Sequence, residues 1–254
     1  MADETTPEIE LMIKAGIDGR RKGACLICQE FFMDLYLLAE IRTISLKITT
    51  VDTQRPPPDF RTKYEASPPP ILIAGDVSVI ENESIERYIM KTVPGGHNLF
   101  VNDKDVDTLI QGVYSKFKLM MVKKDEPTRR NLILELKKID DHLAKTGMRF
   151  LTGDTLSSFD CVLMPRLQHI RVSGFFYAKF EIPIELKHLW FYIYNMYYLD
   201  AFTQSCPADQ DLICHYAKQQ GATMTKAQNL STPTYNTSIP EAIIAELEAL
   251  SKSQ

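Results

Sequence analysis

Cys25 and Cys28 form a Cys-x-x-Cys motif, the residue pair in this chain whose spacing best suits chemistry. A strand pattern precedes the motif and a helix pattern follows it, so Cys25 is expected at a helix N-terminus. Unpaired amides and the helix dipole lower a thiol pKa at that position. The preceding Arg20, Arg21 and Lys22 add positive charge. We therefore expect Cys25 to be a nucleophile and Cys28, one turn later and less exposed, to resolve a mixed disulfide.

Two other interpretations of the motif stay open. Half of a zinc site would need a second pair of ligands, and the remaining cysteines are scattered, so we predict no metal site. Two buried structural cysteines are a stronger alternative. The remaining cysteines are Cys161, Cys206 and Cys214.

The elements around the motif run in the order strand, helix, strand, proline-rich segment, hairpin, helix. A strand–helix–strand start requires a parallel pair with a right-handed crossover. With a hairpin added to the sheet, residues 8–91 are predicted to form an α/β, thioredoxin-like domain. The predicted elements are a strand at 9–15, a helix at 25–40, a strand at 43–51, a loop or short helix at 54–70, hairpin strands at 71–73 and 77–80, and a helix at 81–90.

Beyond a Pro/Gly-rich linker at residues 92–100, every long hydrophobic pattern has helical spacing. We predict an all-helical domain over residues 101–222. The tail at 223–254 is polar except for a short amphipathic helix starting at Pro240. The predicted helices of the second domain include one through Leu109–Phe117, one starting after Pro127, and others at 156–172, 185–202 and 207–220.

Two further positions could contribute to a site near the cysteines. Pro70 stands directly before the third predicted strand, where thioredoxin-like domains have a cis-proline. A plain loop proline is the alternative. Glu81 and Asn82 open the next helix, where a carboxylate, an amide and the helix N-terminus could hold a γ-glutamyl group. Simple helix capping is the alternative, and the sequence alone favours it.

The composition excludes some functions. The formal net charge is −4 with a pI of about 5.8, which does not fit a nucleic-acid partner. The N-terminus lacks the basic and apolar regions of a secretory signal, and five cysteines are a poor disulfide framework. We therefore expect the protein to reside in the reducing cytoplasm. The best apolar window, 25–51, has charges that each cost about 2.5–3.5 kcal/mol at a bilayer centre. These charges are Glu30, Asp34, Glu40, Arg42 and Lys47.

Longer segments resemble one family. KAGIDGRRKGACLICQEFFMDLYL is similar to the KAG-x-D-G and G-x-C-x-x-[SC]-Q pattern of chloride intracellular channel (CLIC) proteins. FLTGDTLSSFDCVLMPRLQHIRV, FEIP and AFTQSCPADQD resemble the second half of the same family. The resemblance covers about residues 8–220, is closest to the invertebrate branch, and implies a glutathione-transferase fold.

The resemblance implies a glutathione-dependent oxidoreductase activity with Cys25 as nucleophile and glutathione as cofactor. It also implies a soluble cytoplasmic monomer that associates reversibly with lipid membranes. Insertion of the segment at 25–51 would give an oligomeric, chloride-permeable channel, and cytoskeletal proteins are possible partners. The glutathione contacts that it implies are Lys14, Pro69, Pro70, Glu81 and Asn82.

The sequence departs from the vertebrate pattern at the thiol motif. Vertebrate members carry Pro-Phe-Ser after the first cysteine, whereas this chain has Leu26, Ile27 and Cys28, which permits dithiol chemistry. Three functions therefore remain as hypotheses: an anion channel, a thiol oxidoreductase without a channel role, and an interaction scaffold. Elsewhere, Ser157 and Asp160 are predicted to form a helix capping box.

Overall fold

A four-stranded sheet forms the first half of the chain. In this computed structural model, which describes residues 6–64, 67–223 and 232–252, the strand order is β2-β1-β3-β4. Strands β1 and β2 are parallel, whereas β3 is antiparallel to both β1 and β4. The strands are β1 (Glu8–Lys14), β2 (Ser45–Val51), β3 (Ile71–Ala74) and β4 (Val77–Val79).

Helices cover the sheet and connect its strands. Helix α1 crosses over between the parallel strands, and α2 lies in the proline-rich segment that we predicted to be a loop or a short helix. The predicted thioredoxin-like order is confirmed. The helices of this half are α1 (Leu26–Glu40), α2 (Pro58–Tyr64) and α3 (Asn82–Thr92).

Helical residues lie within the predicted linker at 92–100. Helix α3 continues through Thr92, and a short helix, α4 (Gly96–Leu99), follows at once. Gly95 has a φ of +82°, which favours glycine, and a Cβ at Gly96 would lie 1.9 Å from the carbonyl oxygen of Ile89. The glycines therefore allow the chain to fold back tightly against α3.

The remaining regular elements of the described chain are all helices, as predicted. Two helix predictions were wrong in extent. The pattern at 156–172 continues through a π-helical turn, Ile170–Gly174, into another helix, and the pattern at 185–202 breaks where Leu199 is extended. The helices are α5 (Lys104–Lys123), α6 (Glu126–Thr146), α7 (Ser158–His169), α8 (Phe175–Ala178), α9 (Lys187–Tyr197), α10 (Asp200–Ser205), α11 (Asp209–Ala217) and α12 (Glu241–Lys252).

Helix α1 belongs to two hydrophobic cores. Phe31 and Leu35 pack in the core of the sheet. Met33, on another face of the same helix, is fully buried in the core formed by the second half. A helix that is apolar on nearly all sides can fill both positions, so the N-terminus of α1 is fixed relative to both halves.

The tail returns to the body of the protein. Ile243 of α12 is buried in the core of the second half, and Glu246 forms an ion pair with Lys187 of α9 at 2.8 Å.

Helix α6 provides a matched test of the second core. Leu136 is fully buried in it, whereas Leu134, on the same helix, is 51% exposed. We expect Leu136→Ala to lower the free energy of unfolding by about 2–5 kcal/mol, because it removes buried methyl groups and leaves a cavity. Leu134→Ala should change it by less than about 0.5 kcal/mol. Urea denaturation measures both, and equal effects would contradict this packing.

Candidate thiol site

A short loop delivers Cys25 from the end of β1 to the start of α1. The amide of Gly23 donates to the carbonyl oxygen of Lys14 at 2.8 Å, and the amide of Cys25 donates to the carbonyl oxygen of Gly23 at 2.9 Å. A Cβ at Gly23 would lie 2.5 Å from the carbonyl oxygen of Ala15. Only glycine permits this close approach, so the loop stays against the strand.

Cys25 occupies the N-cap position of α1, with φ −97° and ψ 112°. Its pKa is lowered to about 6. The largest cause is a hydrogen bond donated by the Cys28 thiol; partial burial acts in the opposite direction. Backbone amides of Ile27 and Cys28 and the charge of Lys14 lower it further. Cys25 is therefore mainly a thiolate at neutral pH.

Cys28 has the opposite character. Its pKa lies well above its usual range, first because its proton is shared with the Cys25 sulfur and then because it is buried. Its side chain is 1% exposed, whereas Cys25 is half-buried. Both cysteines are free thiols. This asymmetry is what a nucleophile and a resolving thiol require.

The expected source of positive charge was wrong in detail. The cation that acts on Cys25 is Lys14, at the end of β1. Arg21 is paired with Asp211 at 2.8 Å, and the Lys22 ammonium group donates to the carbonyl oxygen of Gln204 at 2.5 Å. Arg21 and Lys22 therefore anchor the loop to the second half of the chain.

The pairing of the strands places the other predicted site residues at one end of the sheet, where β1 finishes. Ile71 pairs with Met12, so the preceding cis Pro69–Pro70 bond lies beside the C-terminal end of β1, where the loop to Cys25 departs. Strand β4 is antiparallel to β3 and thus finishes at the same end of the sheet.

Glu81 and Asn82 follow β4 at this end of the sheet, at the beginning of α3. The structure therefore gathers Lys14, the prolines and the start of α3 around the thiol's end of the sheet.

The beginning of α3 differs from the capping that the sequence alone favoured. Glu81 is the N-cap residue, yet in the part of the chain that the structure describes its side chain forms no capping hydrogen bond. Glu81 and Asn82 are both exposed. Uncapped amides at the start of an 11-residue helix suit a carboxylate. The residues present therefore fit the γ-glutamyl end of glutathione.

A cleft of about 420 Å³ lies next to the loop and between the two halves of the chain. Lys14 and Gly23 line it on one side, and His215 and Lys218 of α11 line it on the other. The lining extends to Ala24, the residue before Cys25 in the chain.

Two acidic residues on α1 have raised pKa values that the sequence did not reveal. Burial is the main reason that the pKa of Glu30 is raised to about 7; Glu86 and Cys25 raise it too, and Arg166 opposes them. Asp34 is fully buried, and its pKa is also raised, mainly by burial. They were assigned only as charges in an apolar window, because helical spacing does not reveal what packs against them.

The three other cysteines do not match Cys25. Cys161 is fully buried beside Asp34, and its pKa is raised by burial, in agreement with the prediction that it is a core residue. Burial raises the pKa of Cys206 to about 12. Cys214 is half-buried, and its pKa is also raised.

In residues 6–64, 67–223 and 232–252, no group of three or more His, Cys, Asp or Glu side chains is arranged to hold a metal ion. Over the same residues, none of the helices combines the length and apolar composition that crossing a bilayer requires.

Comparisons with known proteins agree with this geometry. The family model for the CLIC-like N-terminal domain matches residues 7–95. The chain is 65% identical to the Drosophila melanogaster protein named chloride intracellular channel Clic, over 92% of this chain and 90% of that protein. It is 35% identical to the Caenorhabditis elegans chloride intracellular channel exc-4, over 96% of this chain and 91% of that protein.

Solved structures show the same fold. The crystal structure of the CLIC homologue EXC-4 from C. elegans superposes with a TM-score of 0.91 at 33% identity, over 97% of this chain and 99% of that chain. Chlamydomonas reinhardtii dehydroascorbate reductase superposes with a TM-score of 0.68 at 16% identity, over 83% of this chain and 97% of that chain. The latter likeness concerns the fold alone.

The hydrogen bond from Cys28 generates a test with a matched pair of variants. Cys28→Ala removes the donor, so the pKa of Cys25 should rise from about 6 towards the free-thiol value of about 8.5. Cys28→Ser keeps a hydroxyl donor and should hold the pKa nearer to 6. The rate of iodoacetamide labelling at Cys25, followed by mass spectrometry from pH 4 to 10, measures each value.

In the wild type that rate should rise as the pH increases through about 6, because the thiolate is the reactive form. An equal pKa in Cys28→Ala and Cys28→Ser would show that the hydrogen bond does not control Cys25.

Proposed function

The chain belongs to the chloride intracellular channel (CLIC) family, and from that premise we propose that it acts as a glutathione-dependent thiol–disulfide oxidoreductase. The observation that carries the proposal is the Cys25 thiolate at the N-terminus of α1, with a pKa of about 6 beside a protonated Cys28. Thiolates react with disulfides and thiols do not, so this asymmetry has a direct chemical consequence.

The reaction starts at Cys25. Its thiolate attacks one sulfur of a substrate disulfide, forming a mixed disulfide and releasing the other sulfur as a thiolate, which takes up a proton from water. Cys28, after losing its proton to water, or a glutathione thiolate then attacks the Cys25 sulfur of the mixed disulfide and displaces the second substrate thiolate, which leaves a Cys25–Cys28 or a Cys25–glutathione disulfide. Further exchange with glutathione thiolate releases glutathione disulfide and regenerates the Cys25 thiolate, and Cys28, where it has reacted, takes up a proton again. With glutathione as the reductant, two glutathione molecules become one glutathione disulfide, and one substrate disulfide becomes two thiols.

The residues at the end of the sheet where β1 finishes would hold glutathione. The uncapped N-terminus of α3, with Glu81 and Asn82, suits the carboxylate and ammonium groups of the γ-glutamyl moiety. Pro69 and Pro70 lie beside the end of β1, where they would flank the peptide part. Lys14 is exposed at the same end and would attract a carboxylate.

Substitution of Cys25 tests the proposed activity. Cys25→Ala should abolish glutathione-dependent reduction of bis(2-hydroxyethyl) disulfide, because it removes the nucleophile. Cys28→Ala should retain turnover at a lower rate, since glutathione can resolve the mixed disulfide directly. Cys206→Ala is the control, because the buried Cys206 thiol has a pKa of about 12. Turnover that survives in Cys25→Ala would sink the proposal.

A second candidate function is a chloride-permeable membrane form. It is favoured by the relatives' names, which call both proteins chloride intracellular channels. The segment at 25–51 would have to leave the helical half, because α1 is packed against α7 through contacts such as Asp34 with Cys161. Its charged residues would need a water-filled path or partners in the bilayer.

A reversible lock on α1 tests the membrane form. In Asp34→Cys the new thiol would stand next to Cys161, and oxidation should tie α1 to α7. We expect chloride efflux from phosphatidylcholine/phosphatidylserine vesicles with the wild type and with the reduced variant, and its loss with the oxidised variant. Mass spectrometry under non-reducing conditions verifies the bond. Efflux through the oxidised variant would show that this segment does not move, and absence of wild-type efflux would reject the channel.

A further inference from the structure

Asp211 lies on α11, in the half of the chain that carries no part of the thiol pair, yet its side chain is directed at the loop before Cys25. We propose that Asp211 is a positioning residue for the Cys25 thiol. From α11 its carboxylate binds the loop at 16–24 and so fixes the position of the nucleophile. The inference rests on the proposed thiol chemistry of Cys25 and adds a residue to it.

Both carboxylate oxygens of Asp211 bind the loop. The amide of Ile17 donates to Oδ1 at 2.8 Å, and the guanidinium Nε of Arg21 donates to Oδ2 at 2.8 Å. The Asp211 side chain is 1% exposed, and that of Arg21 is 15% exposed. Charge-assisted hydrogen bonds shielded from water are strong and directional, so this carboxylate fixes a position.

The two residues that Asp211 binds, Ile17 and Arg21, belong to one tight turn. The amide of Gly16 donates to the carbonyl oxygen of Arg21 at 2.7 Å, which closes the turn. Inside it, Oδ1 of Asp18 accepts the amides of Arg20 and Arg21, each at 2.9 Å. The turn is therefore a compact unit, and holding Ile17 and Arg21 holds all of it.

Only three residues separate this turn from the thiol. Lys22 is bridged to Ala15, and the amide of Gly23 donates to the carbonyl oxygen of Lys14. The chain then reaches Cys25, whose thiolate is stabilised by the hydrogen bond from the Cys28 thiol, by amides of the first turn of α1 and by the charge of Lys14. A displaced turn would move Cys25 away from these groups.

Gly16 shows how closely the carboxylate and the turn fit. A Cβ at this position would lie 2.4 Å from Oδ1 and 2.7 Å from Cγ of Asp211. Gly16→Ala would therefore push the carboxylate and the loop apart without changing any charge. It is an independent way to disturb the same contact.

Asp209, in the same turn of α11, is a matched control. Its Oδ1 accepts the amide of Asn236 at 3.0 Å, and its own amide donates to the carbonyl oxygen of Thr234 at 2.8 Å. Asp209 therefore holds the tail, whereas Asp211 holds the loop. Asp209→Asn removes a negative charge from the same helical turn without touching the thiol loop.

The sign of the effect separates positioning from direct electrostatics. Removing a negative charge near a thiol favours the thiolate and lowers its pKa. Losing the helix amides and Lys14 disfavours the thiolate and raises its pKa. Asp211→Asn therefore gives opposite shifts under the two explanations, and a role in stability alone gives no shift in the folded protein.

The experiment measures the pKa of Cys25 in the full-length chain by pH-dependent iodoacetamide labelling of the Cys25 peptide. We expect Asp211→Asn and Gly16→Ala each to raise this pKa by roughly one unit, a tenfold change in the ionisation constant. Asp209→Asn should leave it unchanged. Circular dichroism verifies that each variant is folded, and if Asp211→Asn does not fold, the comparison of Gly16→Ala with the wild type decides.

A lowered or unchanged pKa in folded Asp211→Asn would overturn the inference, as would an equal rise in Asp209→Asn. If Asp211→Asn does not fold, an unchanged pKa in Gly16→Ala would overturn it. Failure of the proposed function has a different result: the wild-type pKa itself would lie at the free-thiol value of about 8.5. The two failures are thus read from different samples of one experiment.

Discussion

The burial of helix α1 on two sides is the constraint on which the rest of the structure depends. Its Phe31 and Leu35 complete the core of the sheet, and its Met33 enters the core of the second half. The helix therefore contributes buried side chains to the apolar cores of both halves. The same helix begins at Cys25, so the packing that joins the two halves also sets the position of the thiol.

Two buried carboxylates near the contact between α1 and α7 differ in their hydrogen bonding. At the start of α7, Asp160 accepts the amide and the hydroxyl of Ser157 and the amide of Leu151, so its buried carboxylate is fully used. Asp34, in contrast, has one carboxyl oxygen without a partner among the described residues. Burial raises the pKa of Asp34, so its neutral form is favoured there. The capping box stabilises the junction, whereas Asp34 weakens it.

Local signals in the sequence predicted much of the fold and part of the site. The strand–helix–strand order, the cis bond before β3 and the Ser157/Asp160 capping box each depend on residues close together in the chain, and each is present. The placement of Cys25 at a helix N-terminus follows from the same kind of local pattern.

Contacts between distant residues could not be predicted. The Asp211–Arg21 pair joins residues 190 positions apart, and nothing local in PADQD indicates which aspartate faces the loop. The three basic residues before Cys25 looked like the source of its field, but Arg21 and Lys22 are bound elsewhere and Lys14 supplies the charge. The break at Leu199 is equally invisible, because the apolar pattern continues through it.

The position of β2 has a topological consequence. It is an edge strand, and its parallel ladder with β1 is the one place where the sheet depends on the chain crossing over through α1. Removing residues 26–51 would break that single ladder and leave β1, β3 and β4 as a continuous antiparallel meander. None of the residue pairs in the β1–β3 and β3–β4 ladders belongs to this stretch. Helix α1 and β2 thus form a terminal part of the sheet, and among the described residues no ladder beyond the one with β1 ties β2 to the other strands.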